Sequence, residues 1–212
     1  MLVGVALALT VLGGLCRPAA AAAGAQGEEV EVTGRVTDPT GRALPGIAIQ
    51  LKASHSTLSL RRMSRLETHP TYVQTVTDKR GDFHFTWKQH EFYDQFSIAA
   101  GLKVAADAGG FEEIQRVDLT DRFRLPGAAG GVVVPIEVER TPRVDRYVAF
   151  VESITSDDQQ RVFEQLGQPE KTDRLQLAGQ EEVTWWYFRR GKAYRFESGR
   201  LELVIPFEPV GS

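Results

Sequence analysis

The chain has a single cysteine in 212 residues, Cys16, and it sits inside the first apolar stretch. Whatever follows that stretch therefore folds without disulfides, thiolate metal sites or thiol catalysis. Excess charge is missing too. With 25 basic and 28 acidic residues the net charge is −3, so no basic field draws the protein to nucleic acid or anionic lipid. The histidines are His55, His69, His84 and His90, and none has a paired carboxylate spacing on a helical pattern. His90-Glu91-Phe92-Tyr93-Asp94 lacks the second histidine that a zinc-binding helix carries at i+4. There is no P-loop, no dinucleotide fingerprint and no G-x-S-x-G elbow. No metal, cofactor or catalytic residue is expected. A Ser-His-Asp triad assembled from distant residues leaves no local signature, which keeps a hydrolase as the remotest of three function classes.

A second long hydrophobic run is also missing. The first, MLVGVALALTVLGGLC, falls short of the roughly 20 residues that span a bilayer. Small residues with A-x-A steps follow it, and charge begins at Glu28. This predicts a signal peptide over residues 1–26, cleaved near Ala25, and an exported, periplasmic or secreted protein. An uncleaved N-terminal anchor is the alternative. Leu15 stands where a lipidation motif wants a small residue, which argues against a lipid on Cys16. Membrane contact is expected to be at most peripheral.

What the chain does have is short alternating runs divided by turn residues. Val30 to Thr37 alternates apolar and polar, as a half-buried strand does. Asp38-Pro39-Thr40-Gly41 is a turn, because Pro39 pre-sets φ and Gly41 tolerates a positive one. Pro45 confines its neighbours to a strand start or edge, and Ile47, Ile49 and Leu51 then alternate. Residues 53–71 break the rhythm with Arg61, Arg62 and Arg65 against one acid, Glu67. They predict a functional loop, or a short edge element with disorder, and an anionic partner for the locally basic stretch; a solvated insertion is the plainer reading. Tyr72–Thr77 and Asp82–Trp87 predict a hairpin closed by Gly81. Strands are further expected at 96–106, 111–119 and 132–139, with an irregular Gly-rich connection at 123–131. Seven short strands without a helix predict a β-sandwich.

The pattern GRVTDPTGRALPGIAIQL…TVTDKRGDFHF resembles the carboxypeptidase regulatory-like domain. Gly34, Val36, Asp38, Gly41, Leu44, Pro45, Gly46 and Ile47, then Thr77, Asp78, Gly81 and Phe83, carry the likeness over residues 28–140. It implies a seven-stranded transthyretin-like sandwich and a non-catalytic module of exported proteins, in a fold shared with carbohydrate-binding modules.

Thr141-Pro142-Arg143 predicts a linker or domain edge, and residues 144–154 suit a strand or a short helix. Ser156 offers an N-cap to a helix carrying Val162, Phe163 and Leu166 and stopped by Gly167. Strands at 182–188, 192–197 and 201–207 then predict a small α+β domain over 141–212, one helix on a three-stranded antiparallel meander. LGQPEK, EVTWWYF and YRFESGRL resemble the small outer-membrane lipoproteins of the SmpA/OmlA type, carried by Leu166, Gly167, Pro169, Trp186, Tyr187, Phe196 and Gly199. That likeness implies an envelope setting.

Aromatics mark the candidate contact surface. Trp87 and Tyr93 either stack on a ligand or close one end of the sandwich core. In the meander, period 2 places Trp186 and Phe188 on one face and Trp185 and Tyr187 on the other. The expectation is that the first pair meets the helix, leaving Trp185 and Tyr187 to dock on the sandwich or on a partner. The sequence thus predicts a non-catalytic exported binding or scaffold protein of the cell envelope. Its contacts would run through Arg61, Arg62, Arg65, Trp87, Tyr93, Trp185 and Tyr187 to a protein, or alternatively to a polysaccharide through Trp87 and Tyr93.

Overall fold

Val30, Val32 and Val36 are fully buried while Glu29, Glu31 and Arg35 face outward, and this alternation makes strand β1, Glu29–Thr37. The computed structural model describes residues 29–59, 64–105, 110–124, 131–177 and 179–210. The expected signal peptide at 1–26, Cys16 within it, and Arg61 and Arg62 lie outside those residues. The fold is mainly β, with eleven strands in three sheets among the described residues.

In the first sheet β1 is central. It pairs antiparallel with β4 (Asp82–Lys88) and parallel with β7 (Val132–Glu137). The second sheet has the order β3-β2-β5-β6, from β2 (Ala48–Ser59), β3 (Ser64–Val76), β5 (Gln95–Val104) and β6 (Gly110–Asp118). Phe83, Phe85 and Trp87 of the first sheet share a core with Ile49, Leu51, Ile98 and Leu102 of the second. Gly34 makes room for this: a Cβ there would strike the Val134 carbonyl and lie 2.5 Å from the Phe83 ring. A short helix, α1 (Thr120–Arg124), runs into the start of the connection expected to be irregular at 123–131, and its Phe123 stacks on Phe96 with ring centres 4.6 Å apart.

Two expectations are corrected here. Much of the basic segment 53–71 is strand rather than loop: β2 and β3 stay paired from Ala48↔Val76 out to Ser59↔Ser64, with one irregularity between Ala53 and His55. Polar alternation on a two-stranded extension carries no apolar face, which is why its strand character was hidden. The expected hairpin of β3 and β4 is instead a corner between sheets, since β4 pairs with β1 from Arg35↔Asp82 to Glu29↔Lys88. The turn chemistry was still as predicted. Asp78 Oδ1 accepts the N–H groups of Arg80 (2.7 Å) and Asp82 (2.9 Å), and Gly81 has φ 74°.

Thr141 and Pro142 begin a helix rather than a linker. Thr141 is the N-cap of α2 (Pro142–Glu152), with proline at a first-turn position where its missing N–H is harmless. Val144, Tyr147 and Val148 are its buried face. The Tyr147 hydroxyl donates to the Gly46 carbonyl at 2.7 Å and accepts from the Lys103 N–H at 3.1 Å, joining α2 to one end of the second sheet, where the start of β2 lies beside the end of β5. Helix α3 (Asp157–Leu166) is capped by Ser156 and closed by Gly167, as expected. Past it, Gln168 N–H donates to the Lys103 carbonyl at 2.7 Å and Ala105 N–H donates to the Gln168 carbonyl at 3.1 Å. The third sheet has four strands, not three, in the order β11-β10-β9-β8: β8 (Lys171–Leu177), β9 (Gln180–Tyr187), β10 (Lys192–Glu197) and β11 (Arg200–Pro206). The buried residues of all three sheets belong to one continuous hydrophobic cluster.

Candidate binding surfaces

Register decides which rings of the third sheet are available. Pairing sets Thr172, Trp185, Tyr194 and Val204 in one row, and Lys171, Trp186, Ala193 and Ile205 in the next, on the opposite face. The first face meets the helices. Trp185, 2% exposed, packs on Phe150 of α2 at 5.2 Å and on Phe196 at 4.9 Å, and Phe150 continues to Phe163 of α3. Tyr187 is fully buried and donates its hydroxyl hydrogen to the Gly167 carbonyl at 2.8 Å. Burial pushes the phenols of both Tyr187 and Tyr147 well above their ordinary range. Trp185 and Tyr187 are therefore core residues, and the facing predicted for the two pairs is reversed.

Trp186 and Phe188 occupy the open face instead. Their rings stack with centres 6.0 Å apart and an interplanar angle of 13°, and Phe207 completes the group at 5.9 Å from Trp186 and 6.1 Å from Phe188. The Trp186 Nε1–H donates to Asp173 Oδ2 at 2.8 Å, which fixes the indole against the sheet. Leu203 (44% exposed) lies on the same face in the row after Ile205, and Leu175 (56% exposed) lies beyond Asp173 on β8. Lys171, Asp173, Arg195 and Glu197, joined in salt bridges of 3.0 and 3.7 Å, rim the patch. An apolar centre inside a charged border is the anatomy of a contact surface.

The aromatics of the N-terminal half divide differently. Trp87 is 7% exposed and belongs to the core between the sheets, so it presents no ring to a ligand. Tyr93 is half-buried, 5.8 Å from Trp87, and Phe92 beside it is 39% exposed. Three histidines gather round Phe92: His55 stacks on it at 4.7 Å, His69 meets it edge-on at 5.7 Å and His90 at 6.4 Å. Arg65 is exposed near the tip of the β2–β3 extension, opposite Leu58. Among the described residues no group of three His, Cys, Asp or Glu side chains is placed to hold a metal, and no helix is long and apolar enough to cross a membrane.

No protein-family model and no curated protein matches this chain. Among solved structures it is similar to a 9R-lipoxygenase from Cyanothece PCC8801, with a TM-score of 0.32 and 9% identity, over 86% of this chain and 42% of that one. The chain spans under half the length of that protein, and a likeness of this degree carries no argument about fold or chemistry.

Two groups of surface residues escaped the sequence reading. Phe207 lies beyond the last strand, where period 2 no longer applies, and only its contact with Trp186 shows its role. The convergence of His55, His69 and His90 on Phe92 joins three separate segments, which no local spacing announces.

Proposed function

We propose that this protein is a non-catalytic binding protein of the cell envelope, exported by its N-terminal segment, which holds a partner protein on the open face of its C-terminal sheet. The observation that carries this reading is the Trp186–Phe188–Phe207 stack, with Leu203 beside it and charged side chains around it. Large rigid rings give contact area at low entropic cost and dominate binding energy where they are buried by a partner. The same reading takes the first two sheets as a transthyretin-like sandwich of the carboxypeptidase regulatory-like kind, and the helices with the third sheet as a small α+β unit packed on it.

Site-directed photo-crosslinking from position 203 in an envelope extract tests the proposal. A defined adduct is expected with the wild-type face and is expected to vanish in Trp186→Ala/Phe188→Ala, while Arg65→Ala keeps it. An adduct that survives in a folded double variant would remove this face from the function. Carbohydrate binding is the second reading. It no longer draws on Trp87, and rests on exposed Phe92 with imidazole donors around it. Glycan-array binding abolished by Phe92→Ala would favour it over the protein partner.

A further inference from the structure

A cleft of about 940 Å³ opens between α2, the end of β5 and the start of β8, within the roughly 300–1,000 Å³ range of small-molecule sites. One stripe of α2 and its C-cap makes a wall: Arg143, Arg146 and Phe150 recur at helical spacing with Ser153 capping the end, while Val144, Tyr147 and Val148 turn to the core. The backbone stitch between Lys103, Ala105 and Gln168 lies at its base. Lys171 and Arg174 approach from β8, and Arg189 from the 3-10 turn Phe188–Arg190.

The lining holds five cationic side chains and two carboxylates, on a protein whose net charge is −3. Most of these charges are already engaged. Glu112 pairs with Arg143 at 2.8 Å, and Glu170 accepts the N–H groups of Phe188 at 3.0 Å and Arg189 at 3.3 Å. Lys171 reaches Asp173 at 3.0 Å and Arg174 reaches Glu181 at 3.5 Å. Arg146 and Arg189 line the same cleft from different elements, and neither guanidinium has an ion pair among the described residues.

We propose that this cleft binds a phosphate group, gripped by Arg146 and Arg189. A guanidinium presents a planar fork of donors that one carboxylate or one edge of a phosphate satisfies. A carboxylate, with two oxygens in one plane, suits a single fork. A phosphate monoester has three terminal oxygens and can accept from two such forks at once. Val104, Phe150 and Pro169 supply apolar wall for the rest of the ligand. Neither arginine belongs to the aromatic stack of the open face, although Lys171 borders both surfaces.

Calorimetric titration of the full chain with glycerol 3-phosphate, inorganic phosphate and malonate tests the assignment, alongside co-sedimentation with phosphatidic acid vesicles, whose headgroup is a phosphate monoester, and with phosphatidylcholine vesicles. Arg146→Gln and Arg189→Gln should each weaken phosphate binding about tenfold, the worth of one charge-assisted fork. The double variant should abolish it, and Arg200→Gln should leave it unchanged. Saturation by the soluble phosphates supports a free phosphorylated ligand, and capture by phosphatidic acid vesicles alone supports a lipid headgroup. Three results would overturn the proposal: no phosphate probe binds, malonate binds as tightly as glycerol 3-phosphate, or the double variant binds like wild type. Circular dichroism and Tm keep a folding failure distinct, and exposed arginines without ion partners should leave both unchanged.

Discussion

Removing one oxygen atom from Tyr147 should destabilise the whole molecule, because that oxygen joins its two halves. The ring is fully buried, and the hydroxyl serves the Gly46 carbonyl at 2.7 Å and the Lys103 N–H at 3.1 Å. Tyr147→Phe keeps the ring and its packing on Phe163 but leaves both backbone groups without that partner. A buried polar group left unsatisfied costs ~1–3 kcal/mol. Lys103 is only half-buried, so water can replace part of its bond, and the Gly46 carbonyl bears most of the loss. The expected destabilisation is about 2 kcal/mol, or ~4–8 °C in Tm for a chain of this size. Thermal unfolding followed separately by far-ultraviolet dichroism and by tryptophan fluorescence is the assay. Both probes should shift together, since the core is continuous from the first sheet to Trp185. A variant melting within 1 °C of wild type would refute the reasoning. So would a transition split so that only the tryptophan signal moves. The same hydroxyl predicts an alkaline effect. Burial holds Tyr147 and Tyr187 neutral in the fold well above the ordinary value of 10.0, at which the unfolded chain ionises. Stability should be undiminished below about pH 10 and fall as pH rises above it, and Tyr147→Phe should show a shallower fall than wild type.

Trp185→Ala should cost ~3–5 kcal/mol as a core truncation, whereas Trp186→Ala should change stability by under about 1 kcal/mol; urea unfolding of the two neighbours separates core from open face. Gly34→Ala should cost about 2–3 kcal/mol through overpacking against the Val134 carbonyl and the Phe83 ring, and adding Phe83→Leu should restore only part of it, because the carbonyl contact remains. Ser156→Ala should lose about 1 kcal/mol with the N-cap bond to Gln159, read from Tm. Asp38 is held below its ordinary 3.8 by hydrogen bonds from the Thr40 hydroxyl and the Arg42 and Thr40 N–H groups, and by Arg140. What it contributes is therefore present above about pH 3.8 and lost as pH falls through its depressed value, so the drop in Tm between pH 7 and pH 3 should be smaller in Asp38→Asn.

Local chemistry was the legible part of this sequence. The Asp-Gly turns at 38–41 and 78–81, the Ser156 cap and the Gly167 stop depend on residues within four positions of each other, and each appears as expected. Partner choice between strands was not legible. Nothing in Tyr72–Thr77 shows that the strand after the turn will cross to β1, because pairing is settled by which faces share a core. Strand β8, KTDRLQL, was missed since an edge strand with polar residues on both faces has no alternation to detect. The swap of Trp185 with Trp186 is a one-residue error in phase. In a run of four consecutive aromatic residues, the last of which leaves the strand, period 2 fixes the pairs but not which pair turns inward. Phe150 and Phe163 decide that, and Phe150 lies on a helix that the sequence left open between two assignments.

Strand β1 is the first described segment of the chain, yet one of its two neighbours, β7, is aligned with it from Val32↔Val132 onward. A polypeptide emerging from its N-terminus would show this strand with both edges bare until β4 arrives, and with one edge bare until residue 137. A chain shortened anywhere before that point would carry a permanent hydrogen-bonding edge of buried-type valines, the setting for strand-to-strand association between copies. Assembly of the first sheet must wait on contacts far apart in sequence, which slows folding, and a holdase that shields the β1 edge would be of most use in that interval.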